Sequence, residues 1–242
     1  MPTISAVLPC FNEEPNIPRM VPEVLGTLQR LASDYEVIVV NDGSRDGTAN
    51  VTRDLAARHP QVKLAEHAVN QGYGAALATG FSAARCEWIF LTDGDKQFVV
   101  AELDKLVPHL EHADLIVGYR EPRRDPFHRR LFGWGWNFLI NLLFGYTARD
   151  VDCAFKLFRR TVWRSVKVES RGATFSAEFL VRARRRGFRM VELNVTHLPR
   201  TAGSPTGGRL DVIVRAFRDL FRFRYRLWRE EQRTRGRRQV TS

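Results

Sequence analysis

Apolar residues gather in short runs that stop abruptly at polar turns. Ile4-Ser-Ala-Val-Leu-Pro9, Tyr35-Glu-Val-Ile-Val-Val40, Val62 to Glu66, Trp88-Ile-Phe-Leu91 and Leu115-Ile-Val-Gly118 are each apolar or β-branched enough for a buried strand. Between them the apolar positions return at helical spacing, over Ile17 to Leu31, Gly47 to Arg58, from Gly72 onward, and over Val99 to Leu110. Strands of about five residues alternating with longer helices predict a mostly parallel sheet with helices on both faces, a doubly wound α/β fold.

The regularity ends after Tyr119. A polar loop leads into Phe127 to Phe144, aromatic and apolar with arginines at its start. Two readings stand for this segment: a buried connecting helix, or an interfacial helix whose Trp and Phe side chains lie at lipid headgroup level. Phe155 to Phe158 and Met190 to Thr196 read as further strands, and Ser176 to Arg186 as a helix capped by Ser176. From Leu210, the residues Leu210, Ile213, Val214, Phe217, Leu220, Phe221, Leu227 and Trp228 keep helical spacing. Arg215, Arg218, Arg222, Arg226, Arg229 and Arg233 recur between them, which makes one basic amphipathic helix. The expected organisation is a catalytic domain over 1–208, including an amphipathic segment at 126–146, and a basic helix and tail over 209–242.

Charge sharpens this division. The net charge is +11. From Arg209 to Arg238 there are eleven Arg against Asp211, Asp219, Glu230 and Glu231, so seven of those charges lie in the last quarter of the chain. An anionic partner follows. For the terminal helix we weigh a solvated face docked on the domain, attachment to an anionic leaflet, and nucleic-acid binding. Attachment to the leaflet is preferred, because regularly spaced Arg with Phe, Tyr and Trp suits an interface. Cys10, Cys86 and Cys153 form no CxxC, and the N-terminus has no signal-peptide pattern, so the expectation is a cytoplasmic protein with reduced thiols. No stretch reaches the roughly 18 to 20 apolar residues of a span. The expected location is therefore peripheral, on the inner face of the membrane, where a membrane-spanning partner subunit is one means of attachment.

The candidate chemistry centres on Trp88-Ile-Phe-Leu-Thr-Asp93-Gly-Asp95-Lys-Gln97, where a strand ends in two carboxylates separated by one glycine. Ligands of open α/β sheets bind at that edge. Asp93 and Asp95 can hold a hard divalent cation, Mg²⁺ or Mn²⁺, that completes its coordination on substrate phosphates. The alternative is an ordinary Asp-x-Asp turn. Gln97 could lend a carbonyl oxygen or orient a water. Glu13 and Asp42 follow two other strands, which brings three acids to one sheet edge. Asn70-Gln-Gly-Tyr-Gly74 feeds a helix N-terminus, whose N–H groups favour phosphate, and makes Asn70 and Gly72 candidate donor contacts. It is not Gly-x-Gly-x-x-Gly and no Walker lysine motif occurs, which disfavours ordinary dinucleotide and P-loop readings.

Pro9-Cys-Phe-Asn-Glu-Glu14, Val40-Asn-Asp-Gly-Ser-Arg-Asp-Gly-Thr48, Asn70-Gln-Gly-Tyr-Gly-Ala-Ala76, Thr92-Asp-Gly-Asp-Lys-Gln97, Val117-Gly-Tyr-Arg120, Asp150-Val-Asp-Cys-Ala-Phe-Lys156 and Arg200-Thr-Ala-Gly203 come in a telling order and spacing. Over about residues 3 to 205 the chain resembles family 2 glycosyltransferases, most of all the dolichyl- or polyprenyl-phosphate mannosyltransferase branch. The resemblance implies a GT-A fold and inverting transfer of a hexose, mannose or glucose, from GDP-mannose or a UDP-hexose to a lipid phosphate. It implies a nucleotide pocket of Pro9, Phe11, Glu13, Val40 and Asp42, and a metal site of Asp93, Asp95 and Gln97. Arg120 and Arg129 match arginines on the acceptor phosphate. Arg200 matches one on the donor diphosphate, and Arg209 stands in for the lysine that usually follows.

In such a reaction the cation and Arg200 would neutralise the leaving diphosphate. A phosphate acceptor is already anionic and needs placement, whereas a hydroxyl acceptor needs a general base, for which Asp150, Asp152 and Glu178 are candidates. His197, at a strand end, reads as structural. A soluble or glycan hydroxyl acceptor is the alternative. Nucleic-acid binding through the Arg-rich tail ranks last, since it leaves the acidic strand ends unexplained.

Overall fold

The computed structural model describes residues 1–122, 124, 127–199 and 210–240, without the side chains of 128, 129, 210–213 and 234–240. All seven expected strands form: β1 (Thr3–Cys10), β2 (Asp34–Asp42), β3 (Val62–His67), β4 (Trp88–Leu91), β5 (Leu115–Arg120), β6 (Lys156–Arg159) and β7 (Met190–Val195). They make one sheet in the order β3-β2-β1-β4-β6-β5-β7. Its pairings are parallel except those of β6, which runs antiparallel to β4 and to β5. The chain moves outward from β1 through β2 to β3 and then returns to the other side of β1 as β4. The strand order therefore reverses between β1 and β4, where an open α/β sheet leaves a crevice at the carboxyl ends of its strands.

Side-chain alternation divides the core in two. Val37 and Val39 of β2 join one apolar cluster, with Val24, Leu28, Leu103 and Leu106. Ile38 and Val40 point the other way and join Leu77, Phe81, Phe179 and Leu220. Burial on both faces explains why these strands read as continuous apolar runs.

The helices are α1 (Ile17–Leu31), α2 (Thr48–Arg58), α3 (Tyr73–Ala83), α4 (Leu103–Leu106), α5 (Phe127–Phe144), α6 (Arg160–Ser165), α7 (Phe175–Arg185) and α8 (Leu210–Val240). Two sequence expectations change, and the structure adds one helix. Val99 to Leu110 is not one helix but a 3₁₀ turn, the single turn of α4 and a second 3₁₀ turn over Val107–His109, where Pro108 contributes no N–H. The cap of α7 is Thr174 rather than Ser176, and Ser176 lies inside the helix. The short helix α6 follows β6 directly and carries no periodicity long enough to be read from sequence.

Both α5 and α8 bury one apolar face and expose another. On α5, Ile140 is buried and Trp136, Leu139, Leu143 and Phe144 pack on the core, while Phe127, Leu131, Trp134, Phe138 and Leu142 are exposed. On α8, Ala216, Leu220, Phe223 and Leu227 form the buried stripe. Phe223 stacks on Phe144 at 4.9 Å between ring centroids, and Phe217 meets Trp136 edge-on at 5.5 Å, so α5 and α8 lie side by side. Ion pairs fasten α8 to α7 as well, with Arg182 donating to Glu230 at 2.9 and 3.0 Å and Arg185 pairing with Glu231. Among the described residues no helix is long and apolar enough to cross a membrane.

Candidate active site

The crevice between β1 and β4 is built by loops that hold one another. The first follows β1. Asn12 takes a left-handed conformation, φ 58°. Its N–H donates to Ser44 Oγ at 2.9 Å and its Oδ1 accepts the Arg45 N–H at 2.8 Å. The buried Glu13 donates its N–H to Thr48 Oγ1 at 2.9 Å, and its Oε2 accepts from Asn16 Nδ2 at 2.6 Å. The loops after β1 and β2 are thus one unit, with Pro9 and Val40 buried beneath and Phe11 partly open.

Asp42 closes β2 and is almost fully buried. Its Oδ1 accepts the Gln71 N–H at 2.8 Å and meets His67 Nδ1 at 2.7 Å, and its Oδ2 accepts the Gly72 N–H at 2.9 Å. Asn70 Nδ2 donates to the Asp42 carbonyl at 3.1 Å. Both carboxylate oxygens therefore hold the glycine loop in place at the N-terminus of α3.

Asp93 and Asp95 follow β4. Burial, and then the charge of Asp95, push the Asp93 carboxyl up to about 7, while Tyr73, Lys156 and Arg120 pull it back. Two crowded carboxylates in one loop form a site that a cation relieves. All the candidate ligand atoms, including the Gln97 carbonyl, are hard oxygens, so the set fits Mg²⁺ or Mn²⁺. Among the described residues no cluster of three or more His, Cys, Asp or Glu surrounds a point. Asp95 Oδ1 accepts the Gln97 N–H at 3.1 Å. Gln97 Nε2 donates to the Leu198 carbonyl at 3.3 Å and lies 3.4 Å from His197 Nε2. His197 is buried, and its Nδ1 accepts the Arg124 N–H at 3.4 Å, so it ties the segment after β7 to the carboxylate loop.

A second group lies at the end of β5. Arg120 Nε and Nη2 donate to Asp150 Oδ2 and Oδ1 at 2.7 and 2.8 Å. Asp152 is open to solvent beside this pair and accepts from Trp136. Lys156 does not pair with Asp152 in a salt bridge. Its buried Nζ donates to the carbonyls of Val151 and Cys153 and shapes the turn that carries both aspartates. Glu178 lies elsewhere, inside α7, fully buried and bonded to Arg182, Arg226 and Ser170.

The Arg129 side chain, Arg200 and Arg209 lie outside the described residues. Sequence reasoning passed over Tyr73, whose hydroxyl donates to Asp93 Oδ1 at 3.1 Å. The signal was present: an aromatic hydroxyl at the first position of a helix that opens on the same sheet edge. It also passed over His67, which lies between Asp42 and Thr79.

The structure superimposes on glucosyl-3-phosphoglycerate synthase from Mycobacterium tuberculosis, solved with Mg²⁺ and UDP, with TM-score 0.68 and 19% identity over 92% of this chain and 78% of that one. The same enzyme solved with Mn²⁺, UDP-glucose and phosphoglyceric acid gives 0.66 and 20%, over the same shares. The architecture is GT-A. The model of glycosyl transferase family 2 matches residues 5–166, and the chain belongs to that family. A dolichyl-phosphate beta-glucosyltransferase of Trichomonas vaginalis is 32% identical over 209 residues, 78% of this chain and 62% of the relative. The chain thus spans about three fifths of that relative's length.

Proposed function

We propose that the protein is an inverting hexosyltransferase that moves a sugar from a nucleotide-sugar to a polyprenyl phosphate, with Mg²⁺ or Mn²⁺ at Asp93 and Asp95. The observation that carries this reading is the meeting of the loops after β1, β2 and β4 at the point where the strand order reverses, with Asp93 and Asp95 two residues apart in the last of them. A UDP-hexose is preferred to GDP-mannose, and glucose to mannose. The 32% identical relative is named a glucosyltransferase, and the superimposed synthase was solved with UDP-glucose.

The bound cation supplies Lewis-acid stabilisation of the leaving diphosphate. The chain does the rest. Asp42 presents the glycine loop and the N-terminus of α3, Tyr73 orients Asp93, and Gln97 joins the carboxylate loop to the segment after β7. Asp150 fixes the orientation of the Arg120 guanidinium, which we assign to the acceptor phosphate. Arg129, Arg200 and Arg209 enter the proposal through the family resemblance. The exposed residues of α5 and the outward Val214, Phe221, Tyr225 and Trp228 belong to two helices that lie side by side, and Arg218 and Arg222 are exposed on the second. We assign this surface to the headgroup region of an anionic leaflet, which brings a lipid phosphate to a peripheral enzyme on the inner face of the membrane.

Asp152 favours a second reading, in which the acceptor is a soluble hydroxyl. A carboxylate open to solvent beside the Arg120–Asp150 pair can serve as a general base. The test is release of UDP from UDP-glucose with Mn²⁺, with and without a short polyprenyl phosphate. Release that needs both metal and lipid phosphate supports the first reading. Release that ignores the lipid moves the acceptor to the soluble class, and no release from any nucleotide-sugar refutes both.

A further inference from the structure

The fully buried Glu178 has no hydrogen bond to the carboxylate loop, yet it accepts four from three residues. Its Oε2 accepts the Ser170 N–H at 3.0 Å, the Ser170 hydroxyl at 2.6 Å and Arg226 Nη2 at 3.1 Å, and its Oε1 accepts Arg182 Nε at 2.9 Å. A buried carboxylate so fully satisfied fixes whatever it holds, because losing one partner leaves charge uncompensated. What it holds is the strap before α7.

The next residue of that strap, Arg171, turns its carbonyl onto the first turn of α3 and accepts the Ala75 N–H at 3.2 Å. The packing has no slack. A Cβ on Gly74 would lie 2.8 Å from the Arg171 carbonyl oxygen and 2.7 Å from Phe175 Cβ, and Gly72 sits at φ 98° with that same oxygen 3.0 Å from its missing Cβ. This turn of α3 is the one held by Asp42 through the Gln71 and Gly72 N–H groups, and it carries Tyr73 to Asp93. At its other end the strap is held by α8. Thr174 Oγ1 donates to the Ala216 carbonyl at 3.1 Å, in buried surroundings, while Arg226 reaches Glu178.

We propose that Glu178 is a positioning residue for the donor site, acting through Ser170 and Arg171 on the first turn of α3, and that α8 completes the arrangement through Arg226 and Ala216. The basic C-terminal helix is then part of the donor pocket's support as well as a surface element. In describing that turn as a donor site the inference rests on the function proposed above.

The experiment uses the full chain with Ser170→Ala, Glu178→Gln and Thr174→Val. Arg185→Ala is the control, because it breaks an α7–α8 ion pair that does not touch the strap. Hydrogen exchange over 71–77 is measured without ligand, binding of UDP with Mn²⁺ by calorimetry, and KM and kcat with UDP-glucose. We expect Ser170→Ala and Glu178→Gln to speed exchange over 71–77, and to raise both the UDP Kd and the KM, each by about tenfold, with kcat within about twofold. Thr174→Val shifts the same quantities in the same direction, and Arg185→Ala leaves them unchanged. Unchanged exchange over 71–77 in a folded Ser170→Ala protein overturns the inference, as does an equal effect from Arg185→Ala. Wild-type protein that binds no UDP refutes the donor reading instead, and the exchange data still decide whether Glu178 positions the turn.

Discussion

Arg120 and Asp150 form a two-point hydrogen-bonded pair, Nε to Oδ2 at 2.7 Å and Nη2 to Oδ1 at 2.8 Å, with both side chains nearly withdrawn from solvent. Removing the acid takes away the two-point partner of a nearly buried guanidinium. Asp150→Ala is expected to lower stability by about 3–5 kcal/mol. Denaturant unfolding measures this, and a loss under 1 kcal/mol would show that water reaches the arginine.

Tyr73 donates to the Asp93 carboxylate, which we propose as a metal ligand. Tyr73→Phe keeps the ring and deletes the hydroxyl, so the fold persists while Asp93 loses a partner. Mn²⁺ affinity is expected to fall about tenfold, within the range for lost partners of ligating groups. Calorimetric titration with Mn²⁺ reads the change directly, and unaltered affinity would make the contact incidental.

Asp93 and Asp95 oppose each other electrostatically when no cation is present. Asp95→Asn removes the repulsion together with one ligand. The expected result is a melting temperature at pH 8 at or above that of wild type, no stabilisation by Mn²⁺, and turnover reduced by at least about 100-fold. A variant that Mn²⁺ still stabilises as it does wild type contradicts the assignment of Asp95 as a ligand.

The raised Asp93 carboxyl sets a pH dependence with a definite sign. Between the ordinary carboxylate value near 4 and about 7 the folded chain holds a proton that the unfolded chain has released. Stability of the metal-free protein therefore declines as pH rises through that window. Mn²⁺ must displace the same proton, so its affinity falls as pH drops below about 7, by up to about tenfold per unit. Thermal melts from pH 5 to 8, with and without Mn²⁺, show both trends, and a flat metal response would remove Asp93 from the site.

Trp134 and Phe138 stack on the exposed side of α5 with ring centroids 5.7 Å apart. Replacing both by Ser leaves the core cluster untouched. Sedimentation with vesicles containing phosphatidylglycerol is expected to drop at least about tenfold, since each buried aromatic contributes about 2 kcal/mol. Equal sedimentation of variant and wild type would assign that surface to another partner.

The sequence by itself determined the strands, the long helices and the acidic strand ends, because those follow from local periodicity and turn chemistry. The run Trp88 to Leu91 followed by Asp93 and Asp95 needs no distant partner to be read. Only the tertiary structure decided which groups face each other. Asp42 and Gly72 are thirty residues apart, and their hydrogen bond shows the acid supporting the glycine loop. Arg120 and Asp150 are equally distant, and their pairing leaves Asp152 as the open carboxylate. Periodicity predicted that α8 would be amphipathic, but both of its faces carry aromatic residues. Only packing against α5 and α7 shows that Leu220 and Phe223 turn inward while Phe221 and Trp228 turn out. Burial and hydrogen bonding across the chain depend on the whole fold, so no local pattern contains them.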